Sequence, residues 1–209
     1  MDGGGRGGEE SFGELDLIYF MDRIHLKAEK FGGGVYSLIG NHEIMNLLGD
    51  FRYASSKDIS RQGGIQKRKQ LFSPGSDLFN KMSCTRNVIL KIGDFIFVHA
   101  GILPEHIEAS EKSKFITKLN TLMRLYLQGK KTWQDEDIQK YFLDKKGVIW
   151  NREYGNETLS KKTCGYLNKV NKLLNVGHMI VGHTVQDNIN SKCDDKLWRV
   201  DVGISDAFG

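Results

Sequence analysis

The chain has 209 residues, of which 39% are hydrophobic and 27% charged, an ordinary balance for a folded domain and too apolar for a disordered one. Thirty lysines and arginines against 26 aspartates and glutamates leave a formal charge of +4, too mild to argue for nucleic acid as a partner. The longest nearly uncharged apolar run, Phe95 to Leu103, is about half of what a bilayer span needs, so no membrane-spanning helix is expected.

Cys84, Cys164 and Cys193 are odd in number, far apart and form no C-x-x-C pair. Neither a disulfide framework nor a thiolate zinc site is expected from that spacing. The glycine-rich, acidic N-terminus has no apolar signal core. The expected setting is therefore the cytoplasm or another reducing compartment.

In chain order, residues 1–10 read as a loop, and 11–31 mix apolar and charged residues at helical spacing, ended by Gly32–Gly34. Val35–Ile39 is short, apolar and β-prone, and reads as a buried strand running into Gly40-Asn41-His42-Glu43 and then a short helix over Ile44–Leu48. Residues 56–83 are polar and helical in parts, broken at Ser73-Pro74-Gly75. Asn87–Ile92 and Phe95–Val98 form a hairpin candidate around Gly93-Asp94, followed at once by His99-Ala100-Gly101. Residues 105–143 hold two amphipathic helical stretches, and Leu159–Leu174 is another helix. Met179–Val181 reads as a strand ending at Gly182-His183-Thr184, and Ile189 with Leu197–Val202 suggests a closing hairpin across Cys193-Asp194-Asp195. Strand followed by polar loop three times over, with helices between, predicts an α/β fold around one sheet system in a single domain.

Three segments share one design: an apolar strand ends, a glycine permits close backbone approach, and a metal-capable side chain stands beside it. They are Leu38-Ile39-Gly40-Asn41-His42-Glu43, Phe97-Val98-His99-Ala100-Gly101 and Ile180-Val181-Gly182-His183-Thr184. Neutral imidazoles suit zinc, manganese or iron, and an amide oxygen suits the harder of these ions. Loops at the carboxyl edge of a sheet are where α/β folds gather such groups. His178 competes with His183, but the odd interval puts the two on opposite sides of a continuous strand, and Gly182 and Thr184 favour His183.

This pattern resembles the calcineurin-like metallophosphoesterases, within them the phosphoprotein phosphatase group, and most of all its Shewanella-like branch. The resemblance rests on Gly40-Asn41-His42-Glu43-Ile44-Met45-Asn46 with Gly49-Asp50-Phe51-Arg52-Tyr53, then Val98 to Pro104, Trp150-Asn151-Arg152, Val181 to Thr184 and Val200 to Ser205, in the expected order over nearly the whole chain. It implies a β-sandwich flanked by helices, here with its N-terminal strands missing, and metal-assisted hydrolysis of a phosphomonoester on a phosphoprotein. It also implies two transition metals (manganese, iron or zinc), which generate the nucleophile and steady both oxygens of an in-line displacement. Asn41, His99 and His183 would hold the second metal, His42 would protonate the leaving alkoxide, and Arg152 would clamp the phosphate through its planar fork.

The N-terminus departs from the family pattern: Gly-Asp-x-His-Gly and the leading half of Gly-Asp-x-x-Asp-Arg-Gly have no counterpart. Met1 to Gly7 aligns as the tail of the second motif, making Asp2 the carboxylate that orients His42 and Arg6 a second phosphate clamp. Without the first-metal ligands or a bridging carboxylate, one weak ion or none is expected, with slow hydrolysis. The chain reads as a partial domain, truncated at both ends, or as a non-catalytic pseudo-phosphatase that binds rather than cleaves. A nucleotide or dinucleoside-polyphosphate hydrolase is the rival enzyme. Segment 105–147 is expected to form a helical cap over the cleft and set substrate choice.

Other residues have plainer expectations. Asp50 and Arg52 form a surface ion pair or shape the site near His42, and Asp201 ends a strand or orients the histidine loops. His25 and His106 read as surface residues, Lys67-Arg68-Lys69 as a solvated helix face, and Phe95, Phe97, Trp133 and Trp198 as core.

Overall fold

The computed structural model describes residues 13–108 and 111–204. Helix α1 (Glu14–Glu29) is followed by α2 (Asn41–Leu47), α3 (Ser56–Arg61), α4 (Ile65–Leu71) and α5 (Asp77–Thr85). Strands β1 (Ile89–Ile92) and β2 (Phe95–Val98) come next, then helices α6 (Pro104–Glu108), α7 (Phe115–Leu127) and α8 (Glu136–Ile138), the last running into a π-turn over Gln139–Leu143. Helix α9 (Lys161–Leu174) leads to β3 (His178–Val181), β4 (Asn190–Lys192) and β5 (Leu197–Arg199). Serines 55, 76 and 160 begin α3, α5 and α9 by accepting the backbone N–H three residues on, which satisfies a donor the helix leaves unpaired.

The strands form one mixed sheet in the order β1-β2-β3-β5-β4, with β2-β3 and β3-β5 parallel and the two outer pairs antiparallel. Its register lines up Ile96, Met179 and Leu197 on one face, all fully buried. The neighbouring row, Phe97, Ile180 and Trp198, points the other way and is less covered. Lys91 lies in register with Ile96 and donates to the carbonyls of Leu174 and Asn175, closing the end of α9 over the sheet. Segment 105–147 is anchored through α7, whose Phe115, Leu119, Met123 and Leu127 are buried. Asn120 on α7 accepts the amides of Val88 and Ile89 and donates to the Ile89 carbonyl, which ties this helix to the start of β1.

Several expectations are corrected. Val35–Ile39 is not a strand: a single parallel bridge joins Leu38 to Asn87, and the Ile39 amide donates to the Asn87 carbonyl. Two of the three cysteines are paired, because α9 and the β4-β5 turn bring Cys164 and Cys193 to a Cα separation of 5.4 Å, within bridging range, while Cys84 is free and exposed. Trp133, Phe95 and Trp198 are exposed at 56%, 42% and 37%. No helix among the described residues is long and apolar enough to cross a membrane.

Two residues assigned to the surface are buried. Arg68 lies three residues before the partly buried Leu71 and four before the buried Phe72, so it faces inward with them, while Ile65 at the start of α4 is exposed. Its guanidinium donates to Asn46 Oδ1 at 2.6 and 3.1 Å, to Gln62 Oε1 at 2.8 Å and to Glu14 at 2.8 Å, and it rests over the Phe72 ring at 4.5 Å and Phe51 at 5.3 Å. One cation thus joins α1, α2, α4 and the loop after α2. His106 accepts the Leu103 amide on Nδ1 and donates from Nε2 to the Lys146 carbonyl. That pattern requires a neutral ring, and burial lowers its pKa from 6.5 to about 4.

Replacing Arg68 with Met strands the Asn46 oxygen and the Glu14 carboxylate, and is expected to cost about 2–4 kcal/mol in urea unfolding; an unchanged midpoint would show that the cluster does not carry stability. For His106 the folded pKa lies below the unfolded one, so its contribution is complete above about pH 6.5 and is lost as pH falls toward 4. The loss is expected at up to about 1.4 kcal/mol per pH unit. His106→Asn should flatten that part of the stability–pH curve, and an unaltered slope would assign it to other groups.

Candidate functional site

The site is made where β2 and β3 end. The two strands are parallel, and their pairing continues one step beyond the ladder, the Gly182 amide donating to the His99 carbonyl at 2.9 Å. His99 and His183 therefore emerge side by side although 84 residues separate them. His183 has φ of +65°, a left-handed backbone that non-glycine residues seldom adopt. Its Nε2–H donates to the Trp150 carbonyl at 3.1 Å, which fixes the tautomer and leaves Nδ1 with a lone pair 3.2 Å from His99 Nε2.

Asn41 arrives as the first residue of α2, and its Oδ1 lies 2.7 Å from the same His99 nitrogen. Glycine is required just before it, since a Cβ on Gly40 would lie 2.9 Å from His99 Nδ1. Glu43 accepts the Gly40 amide at 2.7 Å, so the glutamate of the Gly-Asn-His-Glu motif caps the helix that carries Asn41 and His42. Asn46 donates to the His42 carbonyl and in turn accepts from buried Arg68, bracing the helix from behind.

Around this trio lie two groups able to meet a phosphate ester. Arg152 is exposed and donates to Thr184 Oγ1 at 3.2 Å and to the His183 carbonyl at 3.4 Å. Asn151 holds the turn beneath it by donating to the carbonyls of Gly101 and Gly147. His42 is exposed, its ring stacked on Tyr53 with centroids 5.2 Å apart and planes 12° from parallel. Burial lowers the His99 pKa to about 3, with His183, His42 and Arg152 adding in that order. Burial and then Arg152 also lower that of His183. Both imidazoles are therefore neutral at physiological pH, as ligands must be.

The residues expected to share an ion are thus brought together. Asn41 Oδ1 and His183 Nδ1 are both acceptors facing one His99 nitrogen, which carries at most a single proton, so the cluster has more lone pairs than hydrogens. A divalent cation satisfies such a donor set, and the residues present fit one. Among the described residues no three His, Cys, Asp or Glu side chains group for a metal; the amide of Asn41 completes this trio, which has no carboxylate. Asp2 and Arg6 lie outside the described residues. His178 stays apart, its Nδ1 on the Asp195 carbonyl and its ring on Phe95. The Asp50–Arg52 pair closes at 2.8 Å and Arg52 lowers the Asp50 pKa, while Asp201 accepts the Gly203 amide and lies close enough to His183 to favour its charged form. Sequence reasoning attached no role to Tyr53, Thr184 or the Trp150 carbonyl. The first two stand inside motifs it singled out, but a backbone carbonyl leaves no trace in residue type.

No family model matches the chain. Uncharacterized protein R398 of Acanthamoeba polyphaga mimivirus is 38% identical over 226 residues, spanning 91% of this chain and 89% of its own length. Shewanella-like protein phosphatase 2 of Arabidopsis thaliana is 29% identical over 244 residues, spanning 96% of this chain and 60% of that protein. The crystal structure of the cold-active protein-tyrosine phosphatase of a psychrophilic Shewanella species superposes with a TM-score of 0.77 at 29% identity, over 90% of this chain and 56% of that one. The chain thus spans little more than half the length of the phosphatases it matches. With the motif residues in the expected order and the fold shared, the chain belongs to the Shewanella-like phosphatase family.

Proposed function

We propose that the chain is a metal-dependent phosphomonoester hydrolase of the calcineurin-like metallophosphoesterase class, acting on phosphoproteins. The observation that carries this reading is the meeting of Asn41 Oδ1, His99 Nε2 and His183 Nδ1 within 2.7–3.2 Å, with Arg152 and His42 at its edge. The phosphoprotein substrate is carried over from the names of the phosphatase relatives.

Asn41, His99 and His183 would hold a divalent manganese, iron or zinc ion, which supplies Lewis acidity toward the phosphoryl oxygens. Arg152, steadied by Thr184, orients the phosphate through its planar guanidinium. Water attacks phosphorus, the bond to the ester oxygen breaks with its electron pair on that oxygen, and His42 gives it a proton, so that inorganic phosphate and an alcohol leave. Burial keeps both imidazoles neutral, so the ion would meet uncharged rings at physiological pH, and its affinity would fall only in acid, where the rings take up protons. A second reading, a binding module without turnover, is favoured by the uncharged donor set, which neutralises nothing on a dication.

Three variants separate these roles. His99→Ala and His183→Ala are expected to lose metal by calorimetric titration with manganese or zinc, and to lose phosphopeptide hydrolysis with it. His42→Ala is expected to keep its metal while turnover falls about 10²–10⁴-fold. Metal loss in His42→Ala would remove its assigned role. Bound metal with no release of phosphate from a phosphopeptide would select the binding module, and faster cleavage of a dinucleoside polyphosphate would select the rival enzyme class.

A further inference from the structure

Tyr53 is eleven residues from His42 in sequence, and its return to that ring is built by specific local chemistry. Helix α2 ends with Gly49 at φ of +78°, the Gly49 amide bonded to the Asn46 carbonyl and the Asp50 amide to the Met45 carbonyl. This is the paired closure that a left-handed glycine makes at a helix C-terminus, and it reverses the chain. Asp50 then accepts the Arg52 backbone and side-chain N–H groups, and the Ala54 amide closes on the Phe51 carbonyl, tightening the loop. Phe51 is pinned from below by Arg68, the same cation that braces α2 through Asn46. The helix that carries His42 and the loop that carries Tyr53 thus share one buried brace, Arg68, through Asn46 and Phe51. Tyr53 itself is 68% exposed, so covering its own apolar surface does not explain the arrangement. Among the described residues no side chain bonds to the His42 ring nitrogens, and the ring it touches is Tyr53. Both line an open cavity of about 470 Å³ with Leu17, Met45 and Ala54.

We propose that Tyr53 is a positioning residue for His42: by lying flat on one face of the imidazole it stops that ring from turning and fixes the plane in which it donates its proton to the leaving oxygen. The role rests on the hydrolase reading above. It needs the aromatic face and not the hydroxyl, so Tyr53→Phe should restore what Tyr53→Ala removes.

The test has one arm that needs no turnover. In proton NMR of the metal-free chain, with signals assigned by His42→Ala, the His42 ring protons should lie upfield in the parent and in Tyr53→Phe, and move downfield in Tyr53→Ala. Equal positions in all three would overturn the stack. The kinetic arm compares nitrophenyl phosphate, whose leaving group needs little protonation, with phenyl and alkyl phosphates, which need it. Tyr53→Ala should lose about tenfold or more in kcat on the poor leaving groups, a few-fold at most on nitrophenyl phosphate, with KM held. An equal loss on every ester, or a change in KM alone, would make Tyr53 a binding or packing residue and overturn the proposal. A chain inert toward every ester would defeat the hydrolase reading itself, and the NMR arm would then decide whether the ring is held.

Discussion

The parallel alignment of β2 and β3 is the constraint on which the site depends. A side chain leaving one strand end meets a side chain leaving another only if the ends stand level, and the extra bond from Gly182 to the His99 carbonyl keeps them level one residue past the ladder. Level ends alone would leave the two rings merely adjacent. The left-handed turn at His183 swings its imidazole inward, and the Trp150 carbonyl holds it there through Nε2. Backbone strain of this kind persists only where neighbours over-determine the conformation. Here the neighbours are a sheet bond on one side and a carbonyl on the other.

The third donor reaches the cluster by different means. Asn41 is not carried by a strand of this sheet, and a lone bridge at Leu38 is all that ties its approach to the chain beside β1. Its position is set instead by a short helix, capped from within by Glu43 and braced from behind by Asn46 and Arg68. A seven-residue helix is marginal without tertiary support, so that buried cation substitutes for length. The proposed metal donor and the proposed proton donor thereby rest on one mechanical unit, since Asn41 and His42 are consecutive residues of it.

Much of this was legible before any coordinates. Apolar run, glycine and imidazole make a strong local pattern, because burial selects the run and close approach selects the glycine. The hairpin around Gly93-Asp94 and the closing hairpin across Cys193-Asp194-Asp195 were legible for similar reasons, turn residues between β-prone runs. Val35–Ile39 looked equally β-prone, yet a strand needs a neighbour, and local pattern does not say whether one is present. Arg68 was hidden by its charged companions Lys67 and Lys69; its helical phase with Leu71 and Phe72 was the available signal. The exposed Trp133 and Trp198 illustrate the converse, since hydrophobicity does not say which face of an element other segments cover. The implied second sheet of a sandwich remains an inference from kinship, for the described residues contain one sheet.

The link between Cys164 and Cys193 gives the C-terminal part of the chain the topology of a lasso. It closes a span of 29 residues that contains nearly all of α9, strand β3 and the Gly182-His183-Thr184 loop. Such a tether acts chiefly on the denatured ensemble, where a loop of this size removes conformational freedom worth about 3–4 kcal/mol. One of the three candidate ligands is therefore confined to a small ring even when the fold is lost, whereas the other two drift on open chain. The memory of the site that survives unfolding is concentrated around His183.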